Sequence, residues 1–240
     1  MTRARTRTRP LSRSSKLGLL VVSTTVASVL SVAFVGGSTL ATGAPVLVRW
    51  DSHRLAPAPD AVGGTATGFG ASTAAAETVQ LVEFVDFECS RCRGAHPFVE
   101  QLRRDYAGQV DFVVRYFPLP GHVSSTHAAI AVEAAAQQGA FEEMADALWS
   151  THDQWGGSRE PQTALFRAFA GDLGLDLVAY DAAVADPATE ARVRKDFEDG
   201  VALGVAGTPT YFLDGELVRP LDEAHFRELL DGAIAAKDAG

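Results

Sequence analysis

The sequence predicts an α/β fold, a sheet interrupted by a block of helices, carried behind an N-terminal transmembrane anchor and a flexible linker. Three observations predict it. From Thr78 onward the hydrophobic pattern runs β-α-β, then through several amphipathic helical stretches, then β-β-α. Ahead of that domain stands a basic tail followed by a long uncharged apolar run. Between the two, residues 49–77 hold few large apolar side chains.

Residues 1–16 carry Arg3, Arg5, Arg7, Arg9, Arg13 and Lys16 and no acid. No charged residue then occurs from Leu17 to Val48, and Leu17–Val35 is the most apolar part of that run. A spanning helix needs ~17–25 apolar residues, whereas the apolar part of a secretory signal needs only ~7–15. The length predicts a retained signal anchor over 17–48. Residues 1–16 are then a cytoplasmic tail, and the rest of the chain is extracytoplasmic, because the positive flank stays inside. A long signal peptide cut near Ala41 and Gly43 is the alternative reading of the same run. Residues 49–77, rich in Ala, Gly, Pro and Thr, lack the apolar surface that would repay ordering, so they read as a tether. A coil of that length spans roughly 30 Å on average.

The formal net charge is -9, and with the positive tail set aside the remainder carries -15. An acidic body excludes nucleic acid as a partner, since phosphate binding draws on clustered Lys and Arg.

The domain at 78–240 opens with "TVQLVEFVDF" (78–87), apolar on both faces and so a central strand. A helix follows from about Ser90 to Tyr106, with Pro97 expected to kink or restart it. "QVDFVVRYFPL" (109–119) is a second strand, closed by Pro118 and Pro120. A helical insertion is expected over about 122–203. "SSTHAAIAVEAAAQQ" has Ser124 and Ser125 available as caps. "FEEMADALWSTH", "PQTALFRAFAGDLG" and "ATEARVRKDFEDGVALG" continue the pattern, with Pro161 at a helix start. After Gly204, "TPTYFLDG" and "ELVRP" form a hairpin about Asp214-Gly215, and "LDEAHFRELLDGAIAAK" is the closing helix.

The chain has two cysteines, Cys89 and Cys92, and the pattern places them where the first strand gives way to the first helix. A structural disulfide three residues long closes too small a loop to stabilise much. Zinc needs four ligands in most structural sites, and Cys89, Cys92 and His96 supply three. Copper handling by that trio, or two inert core thiols, are further readings. A redox dithiol has the strongest physical case. A thiol at a helix N-terminus meets unpaired N–H groups and the positive end of the macrodipole, and both favour the reactive thiolate. Cys89 is then the exposed nucleophile, and Cys92, one turn further in, the resolving thiol.

Over about residues 78–236 the chain resembles the DsbA-like branch of the thioredoxin superfamily. The resemblance rests on "FECSRC" at the strand-to-helix junction, on "GVAGTPTYFLDG", and on "RYFPLPGHVSSTHAAIAVEAA", similar to the segment where that branch inserts its helices. It implies a thioredoxin fold with an inserted helical subdomain, and a cis peptide bond at Thr208-Pro209 facing the dithiol. The residues alone would make Pro209 an ordinary trans proline opening an edge strand. The backbone of Thr208 is expected to pair with an extended substrate as an added strand. The resemblance also places a buried acid at Glu83, near Cys92, where it relays a proton; the residue alone reads equally as a half-exposed carboxylate.

Ser90 and Arg91 separate the two cysteines, where DsbA itself carries Pro-His. Arg91 is expected to favour the Cys89 thiolate and Glu88 to oppose it. His96, Trp149, Trp155, His122 and His127 are read as helix, core or groove residues.

The expected activity is thiol–disulfide exchange on exported proteins, in the oxidising direction, with a membrane redox partner regenerating the pair. No prosthetic group is implied, since the dithiol is itself the cofactor. The rivals are an extracytoplasmic reductase, for example one serving cytochrome maturation, and a copper-delivery protein using Cys89, Cys92 and His96.

Overall fold

A computed structural model describes residues 46–56 and 78–239. Most of the expected anchor and linker, residues 17–45 and 57–77, lies outside them, as does the tail at 1–16. Among the described residues no helix is long and apolar enough to cross a membrane.

Five strands and eight helices follow in chain order: β1 (His53–Arg54), β2 (Val79–Val85), α1 (Ser90–Asp105), β3 (Val110–Tyr116), α2 (Ser125–Ala136), α3 (Phe141–Ser150), α4 (His152–Trp155), α5 (Thr163–Asp172), α6 (Leu177–Ala185), α7 (Pro187–Ala202), β4 (Thr210–Leu213), β5 (Glu216–Val218) and α8 (Glu223–Asp238). The sheet order is β1-β3-β2-β4-β5. β2 runs parallel to β3 and antiparallel to β4, so the strand expected to be central is central. Its side chains alternate between two packed layers. Val79 and Leu81 pack with Val99 and Leu102 of α1 and with Phe226 and Leu230 of α8. Val82 and Phe84 face the other way, toward Phe117 and Phe197. A strand covered on both faces must be apolar at nearly every position, as this one is.

The hairpin forms where expected. Asp214 and Gly215 have φ of 47° and 93°, the left-handed pair that matches strand twist in a two-residue turn. Pro97 lies inside α1, which runs from Ser90 to Asp105 as one helix. Ser124 and Ser125 do not cap α2 through their side chains. Ser124 Oγ instead accepts from the Gln162 backbone at 3.3 Å, and the Ser125 hydroxyl donates to Asp86 at 2.7 Å.

Besides the four-residue α4, two elements were not legible beforehand. α6 buries only Tyr180, so it has little apolar periodicity to read. It is held at its start by Asp176, whose carboxylate accepts from the backbone of Val178 and Ala179. The other is β1. Residues 49–56, assigned to the tether, and Val46–Val48, assigned to the end of the anchor, are docked on the domain instead. His53 and Arg54 pair antiparallel with Val114 and Val113. The buried Arg115 guanidinium donates to the carbonyls of Val46 and Leu47 at 2.8 and 2.5 Å, and to Asp196 and Asp199 at 2.6 and 2.9 Å. His53 Nε2 lies 2.7 Å from Glu133 of α2, and Leu47 and Val48 pack beside Phe117. Each of these partners is at least 59 residues away, which is why local composition missed them.

Gly200 of α7 packs tightly against Phe117 and the sheet residue Phe84. A Cβ there would lie 2.7 Å from the Phe117 ring and 3.0 Å from the Phe84 ring, both buried. Overpacking of this kind costs ~1–3 kcal/mol, against a gain of up to ~1 kcal/mol in helix propensity. Gly200→Ala should therefore destabilise the domain by about 1–2 kcal/mol, read as a lower urea midpoint at unchanged slope.

Candidate active site

The dithiol site sits where β2 ends. The turn Asp86–Cys89 is closed by the Cys89 N–H bonding to the Asp86 carbonyl at 3.0 Å, and Cys89 takes the N-cap position of α1 in extended backbone. That geometry leaves the first-turn N–H groups of α1 pointing toward its sulfur. The peptide bond between Thr208 and Pro209 is cis, so the ordinary trans reading fails. The strand that follows, β4, is internal, paired on both sides by β2 and β5. The Thr208 carbonyl lies over Cys89, which donates its S–H to it at 3.5 Å.

Both thiols are free. Cys89 keeps 6% of its surface and Cys92 1%. Cys89 is the more open of the two but is largely covered, because the Thr208 loop closes over a residue that helix position alone would leave exposed.

Their acidities diverge. The Cys89 thiol is lowered to about 5. A hydrogen bond from the Cys92 thiol is the main cause; burial opposes it, and the Thr208 side chain and the backbone N–H groups of Cys92 and Arg91 add to it. Burial pushes Cys92 far up, helped by its bond to Cys89 and by the nearby Glu83. One sulfur is thus kept as thiolate and the other as thiol.

Glu83 is buried on β2. Desolvation raises its carboxyl to about 7, against the lowering effect of a hydrogen bond from Tyr211, its partner across β2 and β4. Glu83 and Cys92 share a cavity of about 40 Å³, lined also by His96, Glu100 and Trp149. That is room for a water. The buried acid therefore stands beside Cys92.

Other expected contributors sit differently. Ser90 and Arg91 are exposed. Of Arg91, the group acting on the Cys89 sulfur is the backbone N–H. Glu88 is turned away from the sulfur. Its two carboxylate oxygens accept from the Ser124 and Gly157 backbones at 2.6 and 3.1 Å, and its carbonyl accepts from His152 at 2.8 Å. Glu88 fastens the cysteine turn to the insertion. His96 faces Asp146 at 3.3 Å and Trp149. Trp155 packs on Phe166, and its indole N–H donates to Leu148.

Two residues at the site went unread. Asp86 is 2% exposed and accepts from the Glu88 and Leu119 backbones, from Ser125 Oγ and from His122 Nδ1. A single acid ending a two-sided apolar strand was the available signal. Tyr211 had none, since its bond to Glu83 depends on the β2–β4 register.

A family model described as thioredoxin matches residues 66–232. The chain belongs to the thioredoxin family. Solved structures of DsbA proteins share its fold. A thioredoxin-like oxidoreductase from Silicibacter pomeroyi DSS-3 is 30% identical, over 65% of this chain and 87% of that one, with a TM-score of 0.55. Alpha-DsbA1 from Wolbachia pipientis, at 16% identity, shares the fold over 81% of this chain and 96% of its own, with a TM-score of 0.62. DsbA from Xylella fastidiosa does so at 18% identity and a TM-score of 0.58, over 69% and 89%. Among curated relatives, a Na(+)/H(+) antiporter NhaA 3 from Salinispora tropica is 39% identical over 138 residues, 57% of this chain. The chain spans only about a fifth of that relative's length, and the match covers the thioredoxin-like part.

Glu83 makes the site's protonation testable. A buried acid raised from 4.5 to about 7 keeps its proton in the folded state where the unfolded chain has lost it. Stability from this group is full below pH 4.5 and falls as pH rises to 7. Glu83→Gln removes that fall. The stability of the reduced variant relative to the reduced wild type should climb between about pH 4.5 and 7, by up to ~3 kcal/mol, and level off above. Urea unfolding at a series of pH values measures it, and a difference constant with pH would contradict it.

Proposed function

We propose that this chain is an extracytoplasmic, membrane-tethered protein disulfide oxidoreductase of the DsbA-like kind, acting as an oxidase through its Cys89-Ser90-Arg91-Cys92 dithiol. One observation carries the reading: two thiols in adjacent turns driven in opposite directions, Cys89 toward thiolate and Cys92 toward thiol, under the carbonyl of Thr208. Inert thiols have no use for such asymmetry. Membership of the thioredoxin family and the shared DsbA fold support the same activity. Tethering rests on the sequence of residues 1–48.

In the oxidising direction, a substrate thiolate attacks Cys89 Sγ of the Cys89–Cys92 disulfide. The S–S bond breaks, a mixed disulfide forms, and Cys92 leaves with the electron pair and takes a proton. Glu83, beside it in the shared cavity and titrating near 7, is the group that supplies the proton. A second substrate thiolate then attacks the substrate sulfur of the mixed disulfide. Cys89 leaves as the stabilised thiolate, and the substrate has lost two electrons. A low leaving-group pKa speeds this step and makes the disulfide the stronger oxidant. A membrane partner that accepts those two electrons restores the disulfide.

The division of labour is tested by trapping. Cys92→Ser should accumulate mixed disulfides with exported proteins, seen as reducible bands on a non-reducing gel, while Cys89→Ser accumulates almost none. Exchanged behaviour would reverse the nucleophile assignment.

Direction is tested by the reduction potential of the pair, equilibrated against glutathione. The value expected is between about -180 and -120 mV, and one near thioredoxin's ~-270 mV would favour the extracytoplasmic reductase. Copper delivery has less support, because His96 is engaged by Asp146 and Trp149.

A further inference from the structure

Beside the dithiol, between the Thr208 loop and the β4–β5 hairpin, lies an open groove of about 430 Å³. Its floor includes Pro209, Tyr211, Val218 and Pro220, and its charged lining residues are Arg91 and Arg219, with no acid among them. This is unusual on a chain whose body carries an excess of acids. Most cations of the domain are already committed. Arg49, Arg54, Arg93, Arg103, Arg115 and Arg192 each stand in ion pairs with carboxylates. Arg91 and Arg219 are exposed and make no ion pair among the described residues. Both arginines therefore line a groove that Thr208 also lines, and Arg91 lies between the two cysteines in the chain.

We infer that this groove selects cysteine-containing extended segments carrying a carboxylate side chain within a few residues of the reacting cysteine, with Arg219, together with Arg91, as the selecting charge. The inference rests on the disulfide-exchange reading and names its substrate class. An extended segment advances ~3.3 Å per residue, so a carboxylate next to the cysteine, or two positions away, falls within the reach of an arginine side chain. The apolar floor accepts the neighbouring side chains. Guanidinium groups suit carboxylates because their N–H donors match both oxygens. A basic segment at the same place meets two unpaired positive charges, so discrimination comes from repulsion as well as attraction. Because both arginines are solvent-exposed, the effect is modest and falls with added salt.

The test uses the oxidised protein and three short peptides of one length, each with a single cysteine flanked by Glu, by Gln or by Lys. Second-order rates of peptide attack on the disulfide are followed at low and high salt. Each protein's Glu and Lys rates are divided by its own Gln rate, and each peptide is compared at pH values giving equal thiolate fractions. The wild type should favour the Glu peptide over the Lys peptide by about fivefold or more at low salt, with the ratio falling toward one at high salt. Arg219→Glu should reverse the order, and Arg219→Gln should bring the ratio nearer one. A Glu-to-Lys ratio unchanged by both variants, or a wild type indifferent to the flanks, overturns the selectivity and leaves the exchange activity standing. A wild type that reacts with none of the three peptides overturns the exchange reading and the selectivity with it.

Discussion

The carboxylate of Asp86 is the interaction on which the site depends. It stands at the end of the central strand, out of solvent, where an unpaired charge would be prohibitive. Four donors meet it, from the cysteine turn (Glu88 N–H), the loop after β3 (Leu119 N–H and His122) and α2 (Ser125). Its own carbonyl holds the Cys89 N–H. One buried group thus sets the turn that carries Cys89 and also docks the helical insertion against the sheet. Glu88, two residues on, repeats the arrangement toward Ser124 and Gly157. The insertion is tied to the catalytic turn by hydrogen bonds to charged groups, which are stronger than neutral ones.

A second polar network holds the far edge. Arg115 is fully buried, and its donors are met by two aspartates of α7 and two carbonyls of the N-terminal segment. Arg192 joins it through Asp51 and Asp196. Buried ion pairs of this kind are worth little over a well-packed apolar replacement, yet breaking one partner is costly, ~3–5 kcal/mol. What the network secures is the placement of residues 46–56 on β3 and of α7 across the sheet.

Against these rigid supports, the two thiols are displaced in acidity in opposite directions. The same short distance between two sulfurs lowers one thiol and raises the other, because the hydrogen bond between them is made in one direction. Glu83, beside Cys92, is raised into the neutral range by burial. The open groove adds two uncommitted positive charges to a surface otherwise dominated by acids and paired arginines.

The sequence by itself determined the β-α-β, helical insertion, β-β-α order of the domain, the central position of Val79–Val85, the Asp214-Gly215 turn and the placement of Cys89 at the start of a helix. These follow from periodicity and backbone preference, which act over a few residues. The cis bond at Thr208-Pro209 was implied by family resemblance and not by the residues, whose local preference is trans. Only the tertiary structure decided that Cys89 is covered, that Glu88 faces the insertion, that Tyr211 bonds Glu83, and that residues 46–56 belong to the domain. In each case the deciding partner comes from far along the chain: Thr208 for Cys89, Gly157 for Glu88, β4 for Glu83, Arg115 for Val46 and Leu47. Local pattern carries no information about such partners, because their energy is realised only when packing removes water from between them.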